Sequence, residues 1–557
     1  MRVRLYPKSS QSVIGAVQYM KELSVKVSTH QLFRPVLYTV LFLLAFVLCW
    51  CQLHERLGRF FSQDSNQYYL LSKNLFSGLG YTSFCARDFR VAPVWPVVSR
   101  SFPPLHPLFI GATDLITGLG IRAAALVSLF YLAGTIIAVL LLGRALDKKT
   151  QLFVFFAYAT FLITNKHYIG ELYSGRSIPG MMLFFILVLL FFFKMLTTKS
   201  QRPTNGILCG AMLAAMQLQR FDQTLFSLVF PCLAFLAFKL IGLTTKQSMV
   251  RTGYIVGAFL IVSAPWAIRN IIHFGSPFAS DNSGSLTSTY NGLYISTFWL
   301  PGTEPPTLFT DPGMWFEQRR HFLFINLSRA VKVTYYLMFI APIAALMMWR
   351  TLSFKQRVFF VLVVLHFSTT IFTLTLTPYH DWRYFSLVHL NLLMLLSVAI
   401  GNLLSTKHAA AFKPAVQGLL ILVLVWFTFS KENIPKIEKD LLHGNIIPQH
   451  LRKSDYYEKA ETVMKKHLGR DDLVAIYPNA DGYTANTGRK TIYYPSNIKR
   501  ANRKSIKAFA EWMKLWSVDY LLLPKQKVDE MKLGNYVVDK VGNRFLIDGN
   551  AYLKSRH

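Results

Sequence analysis

Residues 35–53 read PVLYTVLFLLAFVLCWCQL, nineteen positions without a single charge. Roughly 20 apolar residues in a helix cross the ~30 Å hydrocarbon core of a bilayer. The run is too long for the core of a cleaved signal peptide, and no small-residue cleavage site accompanies it. It follows a basic segment (Arg2, Arg4, Lys8, Lys21, Lys26, Arg34), so it reads as an uncleaved signal anchor. Similar runs recur as far as residue 430. Eleven spans are expected, near 35–53, 122–142, 151–166, 178–196, 206–219, 224–241, 252–270, 330–349, 357–376, 384–403 and 414–430. The 557 residues carry 60 Lys and Arg against 28 Asp and Glu, a net charge of +32. Such a balance often marks a nucleic-acid partner. Here 52% of residues are apolar, only 16% are charged and mean hydropathy is +0.33. A soluble enzyme, a DNA-binding protein and a disordered chain are excluded. The chain is a polytopic membrane protein.

Charge sets the expected topology. The short connectors 143–150, 194–205, 239–251, 350–357 and 404–413 all carry Lys or Arg, with Asp147 as their one acid. Positive loops stay in the cytoplasm. The N-terminus is then inside, and an odd number of spans puts the C-terminal region outside. Of the acids before residue 431, only Glu22 and Asp147 fall on the cytoplasmic side, which points to chemistry at the outer face. The organisation expected is a cytoplasmic basic N-terminus (1–34), a transmembrane module (35–430) with long outer loops at 54–121 and 271–329, and an extracytoplasmic accessory domain (431–557).

In the first outer loop, QYYLLSKNLFSGLG and PLHPLFIGATDLITGLG space apolar residues at helical intervals. Helices of this kind lie in the membrane interface. The C-terminal region reads as a small α/β unit, large enough to fold alone. SDYYEKAETVMKKHLG and ANRKSIKAFAEWMKLW are its helices, LVAIY, TIYYP and VDYLLLP its strands, and YVVDKVGNRFLID a hairpin around Gly542-Asn543. It shows no nucleophile or metal constellation. The five cysteines form no C-x-x-C pair or disulfide framework.

Two carboxylates stand out. Asp64 follows the anchor, with Tyr68 and Tyr69 at i+4 and i+5, and its loop runs on to the rigid turn Ser101-Phe102-Pro103-Pro104-Leu105-His106-Pro107. It is suited both to capping the next helix and to accepting a proton from a hydroxyl nucleophile. Glu171 lies between the third and fourth spans, with His167 at i−4 and Arg176 at i+5. The Glu171–Arg176 pair also fits a plain surface ion pair. Arg220 and Asp222, Arg269 and Asn270, and His380, Asp381 and Arg383 occupy further turns at the outer membrane level. Each fits a snorkelling interface residue. Four arginines, 176, 220, 269 and 383, at one depth suit the oxygens of a lipid phosphate. Tyr68, His106 and the four arginines are the expected substrate and lipid-phosphate contacts.

Several stretches taken together resemble the bacterial GT-C glycosyltransferases. They are the D-x-x-x-Y-Y helix with Gly78-Leu79-Gly80, the Pro103-Pro104-Leu105 turn, Glu171, Pro265-Trp266-Ala267-Ile268-Arg269-Asn270 with Phe274-Gly275-Ser276-Pro277, and Arg383-Tyr384. The resemblance is to the protein-mannosyltransferase-like family 39 group, which includes the aminoarabinose transferases. Thr487-Gly488-Arg489-Lys490 and Val518-Asp519-Tyr520-Leu521-Leu522 extend it into the C-terminal region. It implies a mainly α, GT-C-like enzyme of the cytoplasmic membrane that moves a hexosyl or pentosyl unit from a polyprenyl-phosphate donor to an envelope lipid, glycan or protein. It further implies Asp64 as the catalytic carboxylate and Glu171 as its acidic support, standing where Asp is common. On this reading Asp64 is the general base of an inverting transfer, and Arg383, Arg269 or Arg176 stabilises the departing phosphate. No metal trio or certain cofactor is visible, and a divalent metal requirement stays open. A lipid or solute transporter, an O-antigen ligase-like enzyme with a diphosphate lipid donor, and a membrane scaffold are the rival classes. The lack of repeated halves, the scarcity of mid-span charges and the long outer loops all weigh against the transporter.

Overall fold

The computed structural model describes residues 36, 38–47, 63–86, 95–99, 102–197, 203–279, 306–377, 381–406, 409–428, 462–469, 471–476, 484, 489–493, 503–541 and 544–555. The described part of the anchor is α1 (Tyr38–Val47). The described part of the first long loop holds α2 (Gln63–Phe76), β1 (Thr82–Ser83), β2 (Cys85–Ala86), β3 (Val97–Val98) and α3 (Leu105–Thr117). The helical body follows with α4 (Ala123–Leu146), α5 (Gln151–Thr164), α6 (Lys166–Tyr173), α7 (Ile178–Thr197), α8 (Thr204–Gln219), α9 (Thr224–Leu240) and α10 (Thr245–Phe274). It is completed by α11 (Pro312–Thr334), α12 (Leu337–Met347), α13 (Phe354–Leu376), α14 (Ser386–Leu403) and α15 (Lys413–Thr428), with a 3-10 turn at Trp382–Phe385 leading into α14.

Among the described residues six helical stretches are long and apolar enough to cross a membrane, or seven with one bent pair, where eleven spans were expected. Two of the expected spans are short in the structure, and those at 35–53 and 414–430 lie partly outside the described residues. The 14 residues of α5 rise only about 21 Å, and the 16 of α8 about 24 Å, at 1.5 Å per residue. The expected straight span at 330–349 is also corrected. The chain is already helical from Pro312, inside the expected outer loop, where the Asp311 side chain accepts from Met314 N and proline takes the first turn. The axis then turns by 71° between α11 and α12. Tyr335 and Tyr336 make the turn in the left-handed region, at φ 49° and 64°.

The main core joins α4, α5, α7, α9 and α14. Leu132, Leu142, Phe155, Phe161, Met182, Phe193, Phe230 and Leu395 are fully shielded there. Two of the stretches lie mostly inside the bundle, with 78% of the most apolar window of Ile178–Leu196 and 83% of that of Trp382–Leu403 buried.

The C-terminal region supplies β4 (Val474–Ile476), β5 (Thr491–Tyr493), α16 (Arg503–Trp516), β6 (Tyr520–Pro524), α17 (Lys525–Glu530), β7 (Val537–Val541), β8 (Arg544–Asp548) and α18 (Gly549–Lys554). The start of the expected helix at 454–469 and the Gly542-Asn543 turn lie outside the described residues. The strands form one mixed sheet in the order β2-β5-β4-β6-β8-β7. Its first strand comes from the first long loop: Cys85 pairs with Thr491 and Ala86 with Ile492, in parallel. Leu70, Cys85 and Val97 join Val474, Phe509, Trp512 and Leu522 in a second core. The sheet is therefore not drawn from the C-terminal region alone. The loop that carries Asp64 is built into it.

Candidate active site

Four segments bring two acids and two arginines together. Asp64 stands in the first turn of α2, where a carboxylate is favoured by the helix dipole. Glu171 lies on the short helix α6, which Asn165 caps by accepting from Tyr168 N at 2.9 Å. Arg176 follows a sharp turn after α6. Arg383 sits in the 3-10 turn that Asp381 caps by accepting from Arg383 N. The Ser65 hydroxyl, beside Asp64, donates to the carbonyl of Ser174 and ties α2 to the end of α6.

The charges alternate. Arg383 Nη1 is 3.0 Å from Asp64 Oδ2 and 3.8 Å from Glu171 Oε1. Arg176 Nη1 is 2.6 Å from Glu171 Oε1, and its Nε is 4.0 Å from Asp64 Oδ2. Asp381 Oδ2 holds Arg383 from the far side, with 3.2 Å to Nε. Glu171 is 2% exposed, and its second oxygen, Oε2, has no hydrogen-bond partner among the described residues. A buried acceptor left so costs about 1–3 kcal/mol, which marks the place as one for a ligand hydroxyl or water. Burial penalises the Arg176 charge most, but Glu171 and Asp64 together outweigh this and raise its pKa above the ordinary arginine value.

The turn between Glu171 and Arg176 needs glycine. Gly175 has φ +67°, and a β-carbon there would lie 2.8 Å from Ala124 Cβ. Its carbonyl accepts from His106 Nε2 at 3.1 Å, while His106 Nδ1 faces the Tyr131 hydroxyl at 3.4 Å. Burial pushes the His106 pKa down to about 4, so its imidazole is neutral at physiological pH. His106 thus holds the backbone beside Arg176.

Arg220 extends the cationic wall. Its Nε meets Asp222 Oδ1 at 3.0 Å, and its Nη1 donates to Ser177 Oγ at 3.4 Å. Ser177 also bonds the Tyr68 hydroxyl at 3.0 Å. Burial, and after it the Asp64 charge, raises the Tyr68 pKa and keeps the phenol protonated. Arg220 and Arg383 both face the Tyr384 ring, at 4.8 and 5.4 Å from its centre. Among the described residues, neither Nη2 of these two arginines makes a hydrogen bond.

The structure thus brings Asp64, Glu171, Arg176 and Arg383 together directly, with Tyr68, His106 and Arg220 around them. Arg269 is engaged elsewhere. It donates to the carbonyls of Ser99 at 2.6 Å and Tyr81 at 3.2 Å, and it packs on Trp266. That clasp holds the antiparallel β1–β3 pair of the first loop. His380 lies outside the described residues. Ser177 and Tyr384 are functional neighbours that spacing alone did not single out; Tyr384's place beside Arg383 was the available signal.

Among the described residues no three His, Cys, Asp or Glu side chains are grouped to hold a divalent ion. Asp64 and Glu171 already face two guanidinium groups in the position a cation would take.

No family model matches the chain, and no curated protein matches it in sequence. Solved structures do match. The fold is that of the GT-C glycosyltransferases. In particular, the chain is similar to the aminoarabinose transferase ArnT from Cupriavidus metallidurans. With undecaprenyl phosphate bound, that structure matches at TM-score 0.52 and 12% identity, over 93% of this chain and 98% of ArnT. The apo state gives 0.55 and 13%, over 93% and 99%. The archaeal oligosaccharyltransferase AglB from Archaeoglobus fulgidus, in complex with an inhibitory peptide and a dolichol-phosphate, matches at 0.52 and 11%, over 88% of this chain and 69% of AglB.

Proposed function

We infer that this chain is a membrane glycosyltransferase that takes a sugar from a polyprenyl-phosphate donor and passes it to an envelope lipid, glycan or protein. Asp64 is the general base. The acceptor hydroxyl attacks the anomeric carbon and gives its proton to Asp64 as the new bond forms. The bond from that carbon to the phosphate oxygen breaks on the opposite face, its electron pair stays on the lipid phosphate, and the configuration inverts. Arg383 and Arg220 offer their Nη2 groups to the developing phosphate charge, and Glu171 keeps Arg176 aimed at the same place. General-base help gives about 10²–10⁴-fold, so positioning and leaving-group stabilisation supply the remainder. Arg269, spent on two backbone carbonyls, acts on the shape of the first loop.

The observation that carries the reading is the shared contact of Arg383 Nη1 with Asp64 and Glu171, inside a fold matched to lipid-phosphate-bound GT-C proteins. The basic short connectors support a cytoplasmic N-terminus, with the site and the C-terminal sheet on the outer face. Proteoliposomes given polyprenyl-phosphate sugars test the reading. Release of polyprenyl phosphate, with a product of opposite anomeric configuration by NMR, supports it. Sugar or lipid moved across the bilayer with the glycosidic bond intact refutes it in favour of a transporter.

A further inference from the structure

A cavity of about 330 Å³ opens beside the ion cluster. Asn165, Lys166, His167, Lys332, Tyr335 and Trp382 line it. Its walls come from the start of α6, the α11–α12 bend and the 3-10 turn, and no acidic residue is among them. Lys166 and Lys332 are exposed, and among the described residues neither pairs with an acid. Asp381, the carboxylate next to Trp382 in the chain, is turned to Arg383. The Trp382 indole lies parallel to the His167 ring, at an interplanar angle of 6° and 5.9 Å between centres. Arg329 stacks on the same indole at 5.4 Å, and its buried Nη1 has no hydrogen-bond partner among the described residues. The bend that shapes the cavity is fixed by two residues held in the left-handed region, and Tyr335 is pinned by donating to the Thr164 carbonyl at 3.3 Å.

Two lysines without an acid partner among the described residues line an aromatic wall backed by Arg329. The nearby acid Asp381, which also acts on Arg329 and His167, is held by Arg383. This describes a site for an anion attached to a bulkier body. Its position says what that body does. His167 and Glu171 are four residues apart on α6, about 6 Å along the helix axis. Trp382 precedes Arg383, which grips Asp64.

We propose that this cavity is a second anion subsite, separate from the Arg383–Arg220 face assigned to the donor phosphate, which seats a phosphate-class group about one helical turn from the reacting centre. On the glycosyltransferase reading, on which this step rests, that group belongs to the acceptor. A bilayer headgroup offers the same chemistry, and the test separates the two.

The full-length protein is labelled with 5-fluorotryptophan in phosphatidylcholine nanodiscs, its Trp382 signal is assigned by Trp382→Phe, and inorganic phosphate is titrated by fluorine NMR. The wild type is expected to show a saturable shift of that signal. In the K166Q/K332Q double variant, half-saturation should move up by at least about tenfold, with the other tryptophan signals in place as a control for folding. No saturable shift in the wild type, or equal half-saturation in the double variant, overturns the subsite. In phosphatidylglycerol nanodiscs, blocked titration assigns the subsite to a headgroup; unaltered titration assigns it to the acceptor. The D64N protein should titrate as the wild type does, so failure of the subsite and failure of the catalytic reading give different results.

Discussion

Arg383→Gln removes the group that meets Asp64, Glu171 and Asp381 at once. At about 3 Å and an effective dielectric near 20, two unit charges attract by roughly 5 kcal/mol. The Arg383 and Asp64 side chains are 15% and 22% exposed, so solvent screening cuts the usable part to about half. A loss of roughly 2–3 kcal/mol is about 10²-fold in rate. The expected result is therefore a drop of about 10² in kcat/KM for polyprenyl-phosphate sugar in proteoliposomes, carried mostly by kcat. Arg176→Gln should cost less, because Arg176 lies 4.0 Å from Asp64. Arg383→Lys should fall between wild type and Arg383→Gln, since one ammonium cannot span three carboxylates as a planar fork does. Melting temperatures measured alongside separate misfolding from lost chemistry. An Arg383→Gln protein that melts normally and works within about threefold of wild type would refute the reasoning.

Tyr68→Phe loses the bond to Ser177. It should lower stability by about 1 kcal/mol and leave the pH dependence of transfer near neutrality unchanged, because burial keeps the phenol protonated; calorimetry and a pH–rate series check both. Gly175→Ala meets a positive φ and a clash with Ala124. It should destabilise by at least about 1–2 kcal/mol and depress turnover by shifting Arg176, with both read on purified protein. His106 has its folded pKa lowered to about 4 from 6.5, so stability present above pH 6.5 is lost as pH falls towards 4. The unfolded chain takes up a proton there that the folded chain refuses, a change of up to about 3 kcal/mol. Thermal unfolding at pH 7 and pH 5 should show the slope, and His106→Gln should flatten it; equal slopes in the two proteins would contradict the assignment.

Hydropathy made the helical body legible because a long apolar run such as Ile178–Leu196, with Lys194 as its one charge, has few folded fates. The acids and arginines of the site were legible for a related reason: charges are rare in such a chain and gather where it turns. The bend at Tyr335–Tyr336 was hidden, because no glycine or proline marks it and both tyrosines take a backbone form that sequence does not advertise. A two-residue strand such as Cys85–Ala86 carries no readable period, and only its distant partner, Thr491–Ile492, makes it a strand. Arg269 looked like its fellow arginines in sequence. Which of them meets a carboxylate and which meets backbone carbonyls depends on the path of the first loop, and no local pattern encodes that path.

The central claim is that Asp64 takes the acceptor's proton, and one measurement addresses it most directly: single-turnover transfer by Asp64→Asn in proteoliposomes, with donor binding and melting temperature recorded on the same preparation. The account predicts a folded protein that still binds polyprenyl-phosphate sugar and forms no product. Transfer at a rate near that of wild type would contradict it.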